Sequence, residues 1–187
     1  LHPFGIKPIN SNYDLFPSNH QEKIANNFLM KYMKQFTIGV NMEGAVKGKK
    51  IQDIDLEEIC KGLKKVHKSI QIIILTSPEK LERVNQLVKK MGHSYVSSSY
   101  KTSKILDVAA LIKNLDIIIT PDTSISHIAS AFDKPVVTIH ENNQDSFQLF
   151  APTSPLSKTV FSTEKNSLAG YDVQKVIELS NQLINKI

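Results

Sequence analysis

Asp116-Ile117-Ile118-Ile119-Thr120-Pro121-Asp122-Thr123-Ser124-Ile125-Ser126-His127 is the stretch that decides how this chain is read. Its first half is a run of β-branched apolar residues closed by Thr and Pro, the pattern of a short strand covered on both faces. Its second half opens a helix, with an acid and two hydroxyls ahead of apolar residues at helical spacing. At about 100° per residue, Ile125, Ile128, Ala129 and Phe132 fall on one face, and Thr123, Ser126, His127 and Ser130 on the other. The first set reads as a core seam. The second reads as a polar strip in which Thr123 and His127 lie one turn apart. Asp122 is expected to cap the helix, its carboxylate accepting from N–H groups two or three residues on. The free N–H groups of such a helix start, with the hydroxyls of Thr123 and Ser124, make an anion site. An ordinary capped helix with an exposed polar face accounts for the same pattern.

Outward from this stretch the chain repeats one rhythm. Strands are expected at 36–41, 70–76, 95–96, 116–120, 135–140 and 159–161, with Pro121 ending the fourth. Helices are expected between them. One starts at an Asp55 cap and carries Leu56, Ile59, Cys60 and Leu63 inward. The next starts at Ser77-Pro78-Glu79 and is closed by Gly92, with Pro at the first helical position and glycine just past the end. Others cover 104–114, 123–132 and the stretch from Asp172 onward, while 42–54 and 141–158 read as polar loops. Apolar strands alternating with amphipathic helices specify an α/β fold with a doubly wound parallel sheet. Ahead of it, residues 1–17 read as irregular, and Ser18 reads as the cap of a helix carrying Ile24, Phe28, Leu29 and Met33.

Composition narrows the classes. No apolar run approaches the length that spans a bilayer. Cys60 is the only cysteine, so an internal disulfide and a cysteine-rich metal site are excluded, and its place in an apolar-periodic helix reads as a buried, inert thiol. The net charge of +5 fits nucleic acid, an anionic membrane or a phosphate-bearing small molecule. The densest basic group, Lys47-Gly48-Lys49-Lys50, has no interleaved aromatics, which argues against a single-strand nucleic-acid platform. The chain opens Leu1-His2-Pro3-Phe4-Gly5 without Met and is expected to belong to a longer protein.

Ligands of open α/β sheets sit beyond the carboxyl ends of the strands. Three segments end there with chemistry besides 120–127. Gly44-Ala45-Val46-Lys47-Gly48-Lys49-Lys50 is not a P-loop, because only three residues separate the glycines and Lys50 stands where the hydroxyl belongs. It remains a loop offering cations to phosphate. Glu79 opens the helix after the second strand, where an acid accepts from ribose hydroxyls or simply favours the helix dipole. His140 and Glu141 end the next-to-last strand at the same edge. His2, His20, His67 and His93 read as surface residues, and no His, Asp or Cys spacing resembles a metal site.

Asp116 to Pro135 closely resembles the signature of glycosyltransferase family 9, the ADP-heptose:lipopolysaccharide heptosyltransferase family. The match falls on Asp116, Thr120, Pro121, Asp122, Thr123, His127, Ala129, Ala131 and Pro135. It departs at Ser124, where the family has Gly, and after Ile139, where His140-Glu141-Asn142-Asn143 replaces a Phe-Gly-Pro-Thr loop. Lys49-Lys50-Ile51 resembles the family's K-x-W-P segment. The resemblance implies the C-terminal, Rossmann-like half of a GT-B enzyme, with 1–35 as linker and interdomain helix and 36–187 as the nucleotide-sugar-binding domain. It implies a donor site made by Gly44, Lys49, Glu79, Asp122, Thr123, Ser124 and His127. It further implies inverting transfer of heptose from ADP-heptose to a lipopolysaccharide core, without metal or other cofactor. The acceptor site and catalytic base would lie in an N-terminal domain outside this chain, leaving no catalytic residue here and the chain inactive alone. The expected setting is cytoplasmic, with peripheral contact at the inner membrane and no nucleic-acid partner. Two other readings stay open: a nucleotide-sugar epimerase of GT-B fold, and a non-catalytic nucleotide-sugar-binding module.

Overall fold

A computed structural model describes residues 14–44 and 48–187. The irregular start expected over 1–17 and His2 fall wholly or largely outside them. Six strands form one sheet: β1 (Phe36–Asn41), β2 (Ile70–Leu75), β3 (Val96–Ser98), β4 (Ile117–Pro121), β5 (Val136–His140) and β6 (Ser157–Phe161). Their order is β3-β2-β1-β4-β5-β6, and every neighbouring pair is parallel. The chain runs outward from β1 in one direction, returns, and runs outward in the other. The switch point therefore lies between β1 and β4, where an open sheet leaves a crevice beyond its carboxyl edge.

Alternation along the strands divides the core into two layers. Ile70, Ile72 and Ile74 of β2 and Ile117 and Ile119 of β4 pack with α2 (Asp53–Val66), α3 (Leu81–Met91) and α7 (Val173–Ile184). Ile73, Leu75 and Ile118 face the other way, toward α4 (Ile105–Lys113) and α5 (Ser124–Ala131). Each such isoleucine contributes about 2 kcal/mol by leaving water, which is why β2 is apolar at every position but Gln71. Cys60 lies in the first layer, fully buried, and burial pushes its thiol up to about 12. The inert-thiol reading is borne out. Gly92 closes α3 in the left-handed region at φ 65°, as its position predicts.

The expected helix at Ser18 is α1 (Asn19–Leu29), with a full capping box between Ser18 and Gln21. It is no loose appendage. Gln21 Nε2 donates to Asp107 Oδ1 of α4 at 2.8 Å, and Phe28 meets Tyr100 edge-on.

Three local readings change. Helix α2 begins three residues earlier than expected, behind Gln52, because the Asp55 carboxylate accepts from the Tyr171 hydroxyl at 2.9 Å instead of capping. The 141–158 loop contains α6 (Gln144–Phe150), capped by Asn143. This helix buries no residue and leaves Leu149 and Phe150 exposed, so no apolar periodicity announces it. Pro121 ends β4, as expected, and pairs there with Ile139. Its missing N–H is harmless there because pairing to β1 stops at Ile119. His67 and His93 are half-buried rather than surface residues. His67 Nε2 lies 3.0 Å from Asn181 Oδ1, and His93 stacks on Tyr95.

Candidate nucleotide site

Asn41 is the last residue of β1 and sits at the switch point. Its buried side chain donates to the Glu43 carbonyl (2.9 Å), to Thr120 Oγ1 (3.0 Å) and to Thr123 Oγ1 (3.3 Å), and accepts from the Glu43 N–H (3.2 Å). One amide thereby ties the end of β1, the end of β4 and the start of α5 together. Beside this knot opens a cleft of about 520 Å³ over the carboxyl ends of β1 and β2. Leu75, Ile105, Val108 and Ile125 give it apolar walls. Asn41, Thr76, Thr102 and Thr123 give it polar ones.

Thr123 caps α5, in correction of the assignment to Asp122. Its Oγ1 accepts from the Ile125 N–H at 3.2 Å, and its carbonyl accepts from the Ser126 N–H at 3.0 Å. Ser124, exposed at the cleft, presents the first helical N–H and a hydroxyl. The polar strip on α5 is also different from the exposed face expected. Ser126 and Ser130 are buried, and Ser130 Oγ accepts from the N–H groups of Thr153 and Ser154 at 3.1 and 3.2 Å. The strip is where the segment after α6 packs.

Four of the seven expected site residues line the cleft: Gly44, Glu79, Thr123 and Ser124. Glu79 is exposed at its edge, and its carboxyl is held below the ordinary value by its own backbone N–H and the Ser77 hydroxyl. Gly44 has a steric reason to be glycine, since a Cβ there would lie 1.4 Å from the Lys49 carbonyl oxygen. The other three do not line the cleft. Lys49 forms an ion pair with Glu141 at 2.9 Å, both side chains largely buried. Asp122 Oδ2 stands 3.7 Å from His140 Nδ1. Burial pushes the His140 imidazole below its ordinary value, with Asp122 and Glu141 opposing and Lys49 and His127 reinforcing. Lys49, Asp122, His127, His140 and Glu141 thus form a cluster of ionisable side chains beside the cleft, beyond β4 and β5. Among the described residues no group of His, Cys, Asp and Glu has metal-holding geometry.

The sequence reading missed Asn41, Thr102, Lys104 and the apolar walls. Asn41 carried a signal, a polar residue ending an apolar strand. Ile125 misled, because a seam residue of α5 also walls the cleft. Thr102 and Lys104 lie in a connection without any motif. Asp116, prominent in the signature, sits at the opposite edge of the sheet. Its carboxylate accepts from the Thr37 N–H (2.7 Å) and hydroxyl (2.8 Å), latching β4 to β1.

Solved structures share this architecture. Escherichia coli ADP-heptose LPS heptosyltransferase II superposes with a TM-score of 0.76 at 18% identity, over 96% of this chain and 56% of its own. A glycosyl transferase family 9 protein from Veillonella parvula gives 0.77 at 16% identity, over 95% and 55%. E. coli heptosyltransferase WaaC, solved with ADP, gives 0.69 at 19% identity, over 95% and 52%. The chain spans about half the length of these structures. A sequence search of curated proteins finds no match. The family model for glycosyltransferase family 9 (heptosyltransferase) matches residues 32–178, most of the chain and every strand of the sheet. On that match, this chain belongs to glycosyltransferase family 9.

Proposed function

We propose that this chain is the donor-binding domain of an inverting glycosyltransferase that transfers heptose from ADP-heptose to a lipopolysaccharide core. The observation that carries the reading is the cleft at the switch point, which sets apolar walls suited to a nucleobase beside a helix start suited to phosphate. The solution of heptosyltransferase WaaC with ADP supports adenine as the base.

In the proposed reaction an acceptor hydroxyl attacks the anomeric carbon from the face opposite the diphosphate. The carbon–oxygen bond to the diphosphate breaks, and the hydroxyl proton passes to a base outside this chain. Negative charge grows on the leaving diphosphate, and fixed donors aimed at that charge lower the barrier. The Ser124 N–H and the Lys49 ammonium are the donors proposed for that task, in place of a metal ion. Glu79 at the cleft edge is proposed for the ribose hydroxyls. A cytoplasmic protein meeting anionic lipid at the inner membrane fits the net charge of +5. Among the described residues no helix is long and apolar enough to cross a membrane.

Titration of the chain with ADP, UDP and GDP tests the reading, repeated on Thr123→Ala and Lys49→Ala. The expected result is saturable binding with ADP preferred, weakened in both variants. Binding to none of the three nucleotides would sink the donor-site reading. Sugar transfer by this chain alone would overturn the placement of the base elsewhere.

A further inference from the structure

The proposed phosphate cation does not face the cleft. The backbone of Lys49 lies directly behind Gly44, which lines the cleft, yet its ammonium is 2.9 Å from Glu141 on the far side, beyond β5. The pair is well enclosed, with side-chain exposures of 18% for Lys49 and 7% for Glu141. Glu141 itself is held by the chain, because its carbonyl accepts from the Asn143 N–H at 2.8 Å where α6 begins. Lysine is a point charge on a flexible four-carbon stem, able to swing while its backbone stays fixed. Glu141 is the more enclosed partner of the two.

We propose that Glu141 is a positioning residue that holds the Lys49 ammonium off the cleft while the site is empty and gives it up to the diphosphate of a bound donor. The proposal rests on the donor-site reading above and deepens it. The carboxylate and a phosphate oxygen of the ligand therefore compete for one cation, each through a charge-assisted contact of about 3 Å. Glu141 keeps Lys49 from being an unpaired, largely buried charge in the empty site, and it opposes tight retention of the nucleoside diphosphate after transfer.

The test is calorimetric titration of ADP and of inorganic pyrophosphate into the full chain and into Glu141→Gln. The variant is expected to bind both at least about fivefold more tightly, the low end of coupling between linked sites. Weakened packing does not produce such a gain. Equal or weaker binding by a folded Glu141→Gln protein would overturn the proposal. A second measurement needs no variant: the structure of the unaltered chain with ADP. Lys49 Nζ on a phosphate oxygen, and beyond ion-pair distance of Glu141, is the expected result, and ADP bound with the pair intact sinks the proposal alone. Failure of the unaltered chain to bind either ligand sinks the donor-site reading and the proposal with it.

Discussion

Replacing Thr123 with Val keeps the β-branched shape and removes a single oxygen. That oxygen caps α5 by accepting from the Ile125 N–H at 3.2 Å, and it accepts from Asn41 Nδ2 at 3.3 Å. Loss of an N-cap side chain costs about 1 kcal/mol. Loss of one further hydrogen bond costs about 1 kcal/mol more. Asn41 limits that second term, because it keeps the Glu43 carbonyl and Thr120 Oγ1. The expected destabilisation is about 1–2 kcal/mol, a fall in Tm of about 2–8 °C for a chain of this size. Urea unfolding followed by circular dichroism reads the first quantity and a thermal melt the second. Thr123→Ser is the control, since serine caps at least as well and should stay within about 0.5 kcal/mol of the parent. If Thr123→Val unfolds with the parent, or Thr123→Ser falls as far as Val, then Thr123 does not hold the start of α5 and the reasoning fails.

Asp116→Asn should weaken the β1–β4 latch by about 1–2 kcal/mol in urea unfolding, because a charge-assisted acceptor of two Thr37 bonds becomes a neutral one. Gly44→Ala should lower ADP affinity at least about tenfold, about 1.4 kcal/mol, because its Cβ would sit 1.4 Å from the Lys49 carbonyl oxygen and the loop must move. Asp107 supplies the pH test. Burial raises its carboxyl, but bonds from the Ser103 N–H, Gln21, the Lys104 N–H and the Ser103 hydroxyl outweigh that and bring it to about 2. A value depressed below the unfolded one, about 3.9, stabilises the fold above that pH and ceases to do so as pH falls through about 2. Acid titration of the parent and of Asp107→Asn should therefore show a stability gap that closes over this window, and a constant gap would exclude the linkage. Cys60 should resist thiol reagents until the chain is unfolded.

What the sequence conveyed and what it withheld follow from one physical distinction. Strands such as Ile70–Leu75 and Ile117–Pro121 bury both faces, so their burial is written into composition. Helix ends were legible where a residue has one task, as at Ser18, Gly92 and Asp172. They were misread where a side chain had a better partner. Asp55 turns to Tyr171, and Asp122 turns toward His140 and leaves the cap to its neighbour. Helix α6 was invisible because it contributes nothing to the core. The site was half legible for the same reason. Thr123, Ser124 and Gly44 belong to local patterns, whereas the knot around Asn41 and the Lys49–Glu141 pair join residues 79 and 92 positions apart (Asn41 to Thr120, Lys49 to Glu141) that only the sheet order brings together.

The central claim is that a nucleoside diphosphate binds in the cleft at the β1–β4 switch point. Amide chemical-shift mapping of the isotopically labelled chain during ADP titration tests it most directly, because it reports place as well as affinity. The account predicts saturable shifts concentrated at Gly44, Glu79, Ser124 and Ile125, with α2 and α7 on the opposite layer unmoved. Shifts centred on α2 and α7, or none at saturating ADP, would contradict it.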